Sequence, residues 1–273
     1  DYNAAPFHRA IAEKLEAVER GEVTRLIIEA PPRHGKSELA SIRFPAWFLG
    51  RDPKRQIITC SASSDLAIQF GRSVRNLVNS HSFSSVFEGA GLSPDSQSAN
   101  RWHTNHGGSY LASGVGGQIV GFGADLLIVD DPVRSRKDAE SSTVRDDTWN
   151  WFRGAAYTRL MPGSSAIIII MTRWHEDDLV GRILSEMQEP WERLRLPAIT
   201  VQGTTQYAVC PERFPVSELE RIRANIGERE WNAQYQQSPS PDEGAFFKRE
   251  WVQSYSDRAR LLEKQPLSVY LSS

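Results

Sequence analysis

Cysteine is nearly missing from this chain of 273 residues, with only Cys60 and Cys210 present and no C-x-x-C spacing between them. That excludes a disulfide scaffold and a thiolate metal site, and it leaves reduced structural thiols in a cytosolic setting as the expectation. Long apolar runs are missing as well. The longest, Ala166 to Met171, falls far short of the roughly 18 residues a membrane span needs, so no membrane association is expected. Asp1-Tyr2-Asn3 offers neither the basic start nor the apolar core of a secretory leader. Strong net charge is absent too: the balance is −2, which excludes a uniformly basic nucleic-acid binder. The distribution is uneven, however. Between Arg33 and Arg75 eight Lys and Arg stand against three acids, which fits either a local basic face or charges scattered over a solvated surface. His103 and His106 have no third ligand nearby, so a histidine metal site is not expected. What remains, 40% hydrophobic and 24% charged, is globular material for one large α/β domain, alone or with an appendage.

The chain is organised around Arg25 to Leu39, RLIIEAPPRHGKSEL. Leu26, Ile27 and Ile28 read as a short buried strand, Pro31 and Pro32 forbid its continuation, and Gly35-Lys36-Ser37 stands where a helix begins. Such a turn cradles phosphate. Gly35 lets the backbone approach an anion, free amides at the helix start point at it, Lys36 reaches the β- and γ-phosphates, and the Ser37 hydroxyl ligates Mg²⁺. The pattern G-x-x-x-x-G-K-[ST] departs at its first glycine, which is Ala30 here, and a bare Gly-Lys-Ser also fits an ordinary turn with a solvated lysine.

Around this loop, helical patterns over Phe7 to Arg20, Glu38 to Leu49 and Asp65 to Val78 alternate with strand patterns at Leu26 to Ile28 and Gln56 to Cys60. That alternation predicts a mainly parallel sheet with helices on both faces. Phe7 or His8 could meet a nucleotide base, the alternative being that this first helix simply packs on the sheet. His81 to Asn105 reads as a surface excursion, Tyr110-Leu111 as a strand, and Gly114 to Gly123 as a mobile loop near a ligand. Leu126 to Val129 is a continuous apolar run that ends in Asp130-Asp131, at the carboxyl end of a strand where ligands of such sheets gather. One acid suits the Mg²⁺ shell and the other the attacking water, although Asp131 is a methylene shorter than a glutamate and reaches less far. An Asx turn closing the strand is the plainer alternative.

A helix is expected over Asp138 to Leu160 and a buried strand over Ile167 to Ile170. Thr172 and Arg173 follow that strand, placed to sense a γ-phosphate and pass the change on, while Asp177 and Asp178 cap a helix running to Gln188. Beyond come an edge strand from Trp191, a loop through Gly203 to Pro211, a helix opened by the capping box Ser217-Glu218-Leu219-Glu220, a second helix over Glu228 to Gln237, and a linker from Ser238 to Gly244.

Taken jointly, Pro31 to Leu39, Arg43 to Gly50, Ile128 to Pro132 and Thr172 to Leu179 resemble the large terminase subunit of tailed bacteriophages, the ATP-driven motor that packages DNA. An arginine ahead of His-Gly-Lys-Ser is typical of that family. The resemblance implies a P-loop NTPase of the additional-strand class, with a core at 1–206, a lid and linker at 207–245 (the lid over Tyr207 to Gln237), and a tail at 246–273 that leads toward an RNase H-like nuclease domain beyond the chain. Nuclease activity is accordingly not expected in this chain. It also implies ATP bound by Pro32, Arg33, His34, Gly35, Lys36, Ser37 and Glu38, with Phe7 and His8 at the base. Lys36 and Arg33 hold the γ-phosphate, Ser37 and Asp130 organise Mg²⁺, Asp131 activates water, and Thr172 and Arg173 couple hydrolysis to movement. Implied partners are double-stranded DNA contacted without sequence preference, a homo-oligomeric ring on the portal protein, and a small terminase subunit, in the host cytoplasm at the procapsid. The family often uses an arginine from a neighbouring subunit. Arg101, Arg134, Arg136 and Arg153 are candidates. Two rivals stand beside this reading: a helicase, for which no further motif follows Thr172, and a nucleotide-gated structural subunit that hydrolyses little.

Overall fold

In the computed structural model, which describes residues 4–163 and 165–240, the apolar runs become strands. In chain order these are β1 (Arg25–Glu29), β2 (Gln56–Ser61), β3 (Leu92–Gln97), β4 (Arg101–Thr104), β5 (Ser109–Gly114), β6 (Leu126–Asp130), β7 (Ala166–Met171), β8 (Glu192–Arg195), β9 (Ile199–Gln202) and β10 (Thr205–Ala208). The helices are α1 (Pro6–Glu19), α2 (Phe44–Arg51), α3 (Ser64–Val78), α4 (His81–Val86), α5 (Arg136–Glu140), α6 (Ser142–Trp151), α7 (Leu179–Glu186) and α8 (Val216–Glu230). Eight strands form one sheet in the order β3-β4-β5-β2-β6-β7-β1-β8. From β5 to β8 every pairing is parallel, and β3 and β4 run antiparallel at one edge.

Burial on both faces explains why the central strands are unbroken apolar runs. Leu26, Ile28, Ile168 and Ile170 face a core shared with Ile11 and Leu15 of α1, Phe48 of α2 and Val74 of α3. Ile27, Ile167 and Ile169 face the opposite core, with Trp149 of α6, Phe152 and Ile183 of α7. Strand β7 lies between β1, which carries the phosphate-type loop, and β6, which carries the paired acids. That inserted strand is the mark of the additional-strand class. It sets Gly35-Lys36-Ser37, Asp130-Asp131 and Thr172 side by side at the carboxyl ends of three strands.

Several expected boundaries move, each for a local reason. Glu38 to Leu49 is not one regular helix: a wide π-type turn over Glu38–Arg43 precedes α2. Pro45 has no N–H to give to the turn before it, so the ladder changes step there. The stretch His81 to Asn105 is no mere excursion, since it supplies α4, β3 and β4. Trp102 anchors it, fully buried, its ring stacked on Tyr110 at 5.0 Å and its Nε1 donating to the Gly71 carbonyl. One tryptophan among serines and glycines gave no periodic signal. Asp138 to Leu160 divides at Ser141, whose hydroxyl accepts from the Val144 amide and starts a fresh helix. The loop expected at Gly203 to Pro211 begins inside the hairpin β9–β10, whose strand residues are mostly exposed and so unmarked by apolar runs. Helix α8 starts at Val216 after Pro215 rather than at the Ser217 capping box, and Gly227, at φ 81°, kinks it. This last region has its own small core of Ala198, Ile199, Leu219 and Trp231. The expected tail at 246–273, and the linker beyond residue 240, lie outside the described residues. No described helix is long and apolar enough to cross a membrane.

Candidate functional site

A cavity of about 810 Å³ opens where the three strand ends meet. Its walls include Pro32, Arg33, Gly35, Lys36, Ser37 and Glu38 from the loop, Asp130 and Asp131 after β6, Thr172 after β7, and Ala62, Ser63, Leu66 and Phe70 at the start of α3. Nine of the predicted residues are thus brought to one place.

The loop is built by two left-handed residues. Gly35 stands at φ 80°, and an added Cβ would sit 3.3 Å from His8 Nε2, so both conformation and space call for glycine. Arg33 takes φ 63°, and its exposed side chain makes no hydrogen bond or ion pair with the described residues. His34 turns the other way. It is buried, its Nδ1 donates to the Pro32 carbonyl at 2.8 Å, and its ring stacks on Phe214 at 4.5 Å. Burial foremost pushes its pKa down, so the imidazole is neutral. His8 Nε2 donates to the His34 carbonyl at 3.2 Å, and burial foremost lowers its pKa as well. Phe7 is buried in the core against His8. Phe7, His8 and His34 therefore brace the loop from behind and do not line the cavity.

Lys36 is almost fully buried. Its Nζ donates to Thr172 Oγ1 at 3.0 Å and pairs with Asp131 Oδ2 at 2.8 Å. Asp131 adopts φ 44°, a left-handed conformation that aspartate tolerates better than most residues, and this turns its carboxylate back over β7. Its Oδ1 accepts the Thr172 amide at 2.8 Å, so both oxygens are engaged. Thr172 in turn donates its hydroxyl to the Ala30 carbonyl at 3.1 Å, joining the loop to β7. Asp130, 1% exposed, takes the Ser37 hydroxyl at 3.0 Å and the Ser41 hydroxyl on its other oxygen. Burial foremost, then the Asp131 charge, pushes the Asp130 carboxyl well above the usual range. A buried carboxylate beside a hydroxyl is a hard-oxygen pair that suits a divalent cation. Among the described residues no cluster of three or more His, Cys, Asp or Glu could hold a metal.

Arg173 lies outside the cavity. Its Nε donates to both oxygens of Asp178 at 2.9 and 2.8 Å, its Nη1 to Glu29 at 2.8 Å, and its amide to Gln237 Oε1 at 3.0 Å. Sequence reasoning missed Ser41, Glu29, Gln237 and the cavity wall at Trp174, while Arg134, one of the four candidate arginines, also lines the cavity. Only Ser41 carried a signal, four residues after Ser37 and so near the same helical face.

A family model for the N-terminal part of the terminase large subunit, T4-like-virus type, matches residues 27–254. The chain belongs to the terminase large-subunit family. Its fold agrees. The large terminase ATPase domain of Thermus phage P74-26 is similar at TM-score 0.58 and 15% identity, over 86% of this chain and 98% of that one. The bacteriophage HK97 large terminase is similar at TM-score 0.52 and 14% identity, over 87% of this chain. This terminase chain spans about half the length of the HK97 protein, 51% of it. No curated protein matches the sequence. In this terminase the paired acids, the phosphate-type loop and Thr172 occupy the strand ends that the additional-strand fold makes available.

Proposed function

We propose that this chain is the ATP-hydrolysing motor domain of a terminase that drives double-stranded DNA into a procapsid. The observation that carries the reading is the convergence of Lys36, Asp131 and Thr172 within hydrogen-bonding distance, beside the Ser37–Asp130 oxygen pair, in one cavity. Loop amides, Lys36 and the exposed Arg33 bind the β- and γ-phosphates of ATP, with Gly35 allowing their close approach. Mg²⁺, held by Ser37 and Asp130, would neutralise phosphate charge. Lys36 leaves Asp131 for the γ-phosphate when ATP enters, and the freed carboxylate orients the attacking water. Water oxygen bonds to the γ-phosphorus, the bond to the β,γ-bridging oxygen breaks, and the water proton passes through Asp131 to the phosphate released.

Thr172 bonds Lys36, the Ala30 carbonyl and, through its amide, Asp131, so it registers the change. Arg173, whose amide donates to Gln237 Oε1, carries it to the end of the lid segment. The segment 207–237 acts as the lid and 1–206 as the core. A ring of copies on the portal protein, loaded with a small terminase subunit in the host cytoplasm, is the assembly this reading entails. DNA contact is made to phosphates, so double-stranded DNA of any sequence is expected to stimulate turnover. That stimulation should fade steeply between about 50 and 200 mM salt. Turnover in phosphate-release assays that ignores DNA even at low salt speaks against a motor.

A further inference from the structure

Arg101, Arg134, Arg136 and Arg153 are candidates for an arginine supplied by a neighbouring subunit, and the structure separates them. Arg136 is consumed: it pairs with Glu140 at 3.0 Å and Glu230 at 2.5 Å, donates to the Trp174 carbonyl at 2.7 Å, and lies over the Trp174 ring. Arg101 lies over the Phe122 ring from β4, near the sheet edge away from the loop. Arg153 lies over Trp149 and donates to Asn150. None of these three lines the cavity. Arg134 does, three residues beyond Asp131 in the same chain. Its Nε donates to the Ala62 carbonyl at 2.8 Å, which fixes the base of the side chain between the β2–α3 connection and the strand of paired acids.

The two terminal nitrogens of Arg134 make no hydrogen bond or ion pair with the described residues. Asp138 and Asp147 share with Arg134 the wall of a neighbouring cavity of about 310 Å³, yet neither holds it there. An arginine anchored by Nε, with its fork free at the edge of a phosphate-binding cavity, is arranged to meet an anion bidentately. Lys36 and Arg33 line the same cavity from the loop, and Arg134 lines it from the segment that follows the paired acids.

We propose that Arg134 acts in cis, its guanidinium meeting the γ-phosphate of the ATP bound to its own chain. This rests on the ATPase reading above. As the bridging bond breaks, charge grows on the γ-phosphoryl oxygens and the departing ADP, and a pre-placed guanidinium stabilises the transition state more than the bound ground state. Water, proton and leaving group follow the course already given. The contribution therefore falls on kcat and not on nucleotide binding.

The test is ATP turnover, with affinity for a fluorescent ATP analogue measured in parallel, for wild type, Arg134→Ala and Lys36→Ala, and for a mixture of the two variants. The expected result is an Arg134→Ala kcat lower by at least about 10²-fold, within reach of what such an arginine contributes, with analogue affinity kept within about threefold. The mixture should stay as slow as its components, because each site needs its own Arg134 and Lys36. Arg134 is exposed and makes one side-chain hydrogen bond, so the variant should melt with wild type. Recovery of turnover in the mixture would show that a neighbour supplies Arg134, overturning the cis assignment. Wild-type turnover by Arg134→Ala, with Lys36→Ala dead, overturns the inference and leaves the ATPase reading standing. Absence of turnover in wild type defeats the ATPase reading and the inference with it.

Discussion

Asp131→Ala is expected to bind ATP more tightly than wild type and to hydrolyse it about 10² to 10⁴ times more slowly, the range for a lost general base. The two halves of that result have separate causes. In this structure the Asp131 carboxylate holds Lys36 Nζ at 2.8 Å, with the Lys36 side chain 8% exposed and Asp131 31% exposed. ATP must displace that contact before Lys36 can reach a phosphate. Removing the carboxylate frees Lys36 in advance, and a partly exposed pair of this kind limits the gain in affinity to about two- to five-fold. The same deletion removes the group that orients water, so turnover falls. A variant that lost affinity and turnover together would mean that Asp131 serves mainly to shape the loop through the Thr172 amide. Wild-type turnover would remove Asp131 from the mechanism. Single-turnover phosphate release with titrated ATP analogue separates these outcomes.

Arg173→Ala is expected to lose about 3–5 kcal/mol of stability, the cost of removing one partner from a buried ion pair. Arg173 is 6% exposed, and Glu29 and Asp178 have fully buried carboxylates. Without Arg173, among the described residues Asp178 loses the one arginine bonded to it, and Glu29 keeps only the partly exposed Arg193. Two buried negative charges then stand at the foot of the phosphate-type loop, since Glu29 immediately precedes Ala30. For a domain of this size the loss corresponds to a melting temperature lower by roughly 10 °C or more. Combining it with Glu29→Gln, which removes one stranded charge, should cost less than the sum of the single changes. A shift below about 2 °C in Arg173→Ala would show that water reaches the cluster and that the buried-pair account is wrong.

What the sequence disclosed and what it hid divide along sequence distance. The meeting of Lys36, Ser37, Asp130 and Asp131 in one cavity was legible because each follows the carboxyl end of a buried apolar run. Parallel sheets bring such ends to one edge whatever the intervening chain does. The mainly parallel sheet followed from the same logic, while the order of its strands was not read from the sequence. The Arg173 cluster could not be read in this way, because its partners Glu29 and Gln237 are 144 and 64 positions away. Arg173 was expected beside the nucleotide, and the structure sets it one layer behind, holding the backbone that holds Thr172. His8 could meet a base or simply belong to a packing helix, and His34 entered through the family resemblance; in the structure the ring of His34 stacks on Phe214 and that of His8 donates to the loop carbonyl. Strands β3 and β4 escaped notice because Trp102 is the one large apolar side chain buried there, with only the polar Thr104 buried beside it.

The most direct measurement is Mg²⁺-dependent phosphate release from ATP by wild type and by Lys36→Ala, with analogue binding followed for both. The account predicts that wild type turns over, that chelating Mg²⁺ stops it, and that Lys36→Ala is slower by at least about 10²-fold, since the lysine is a main charge clamp on the phosphoryl group. Wild type that binds the analogue through this cavity yet releases no phosphate, with or without double-stranded DNA, would contradict the motor reading and leave a nucleotide-gated structural subunit in its place.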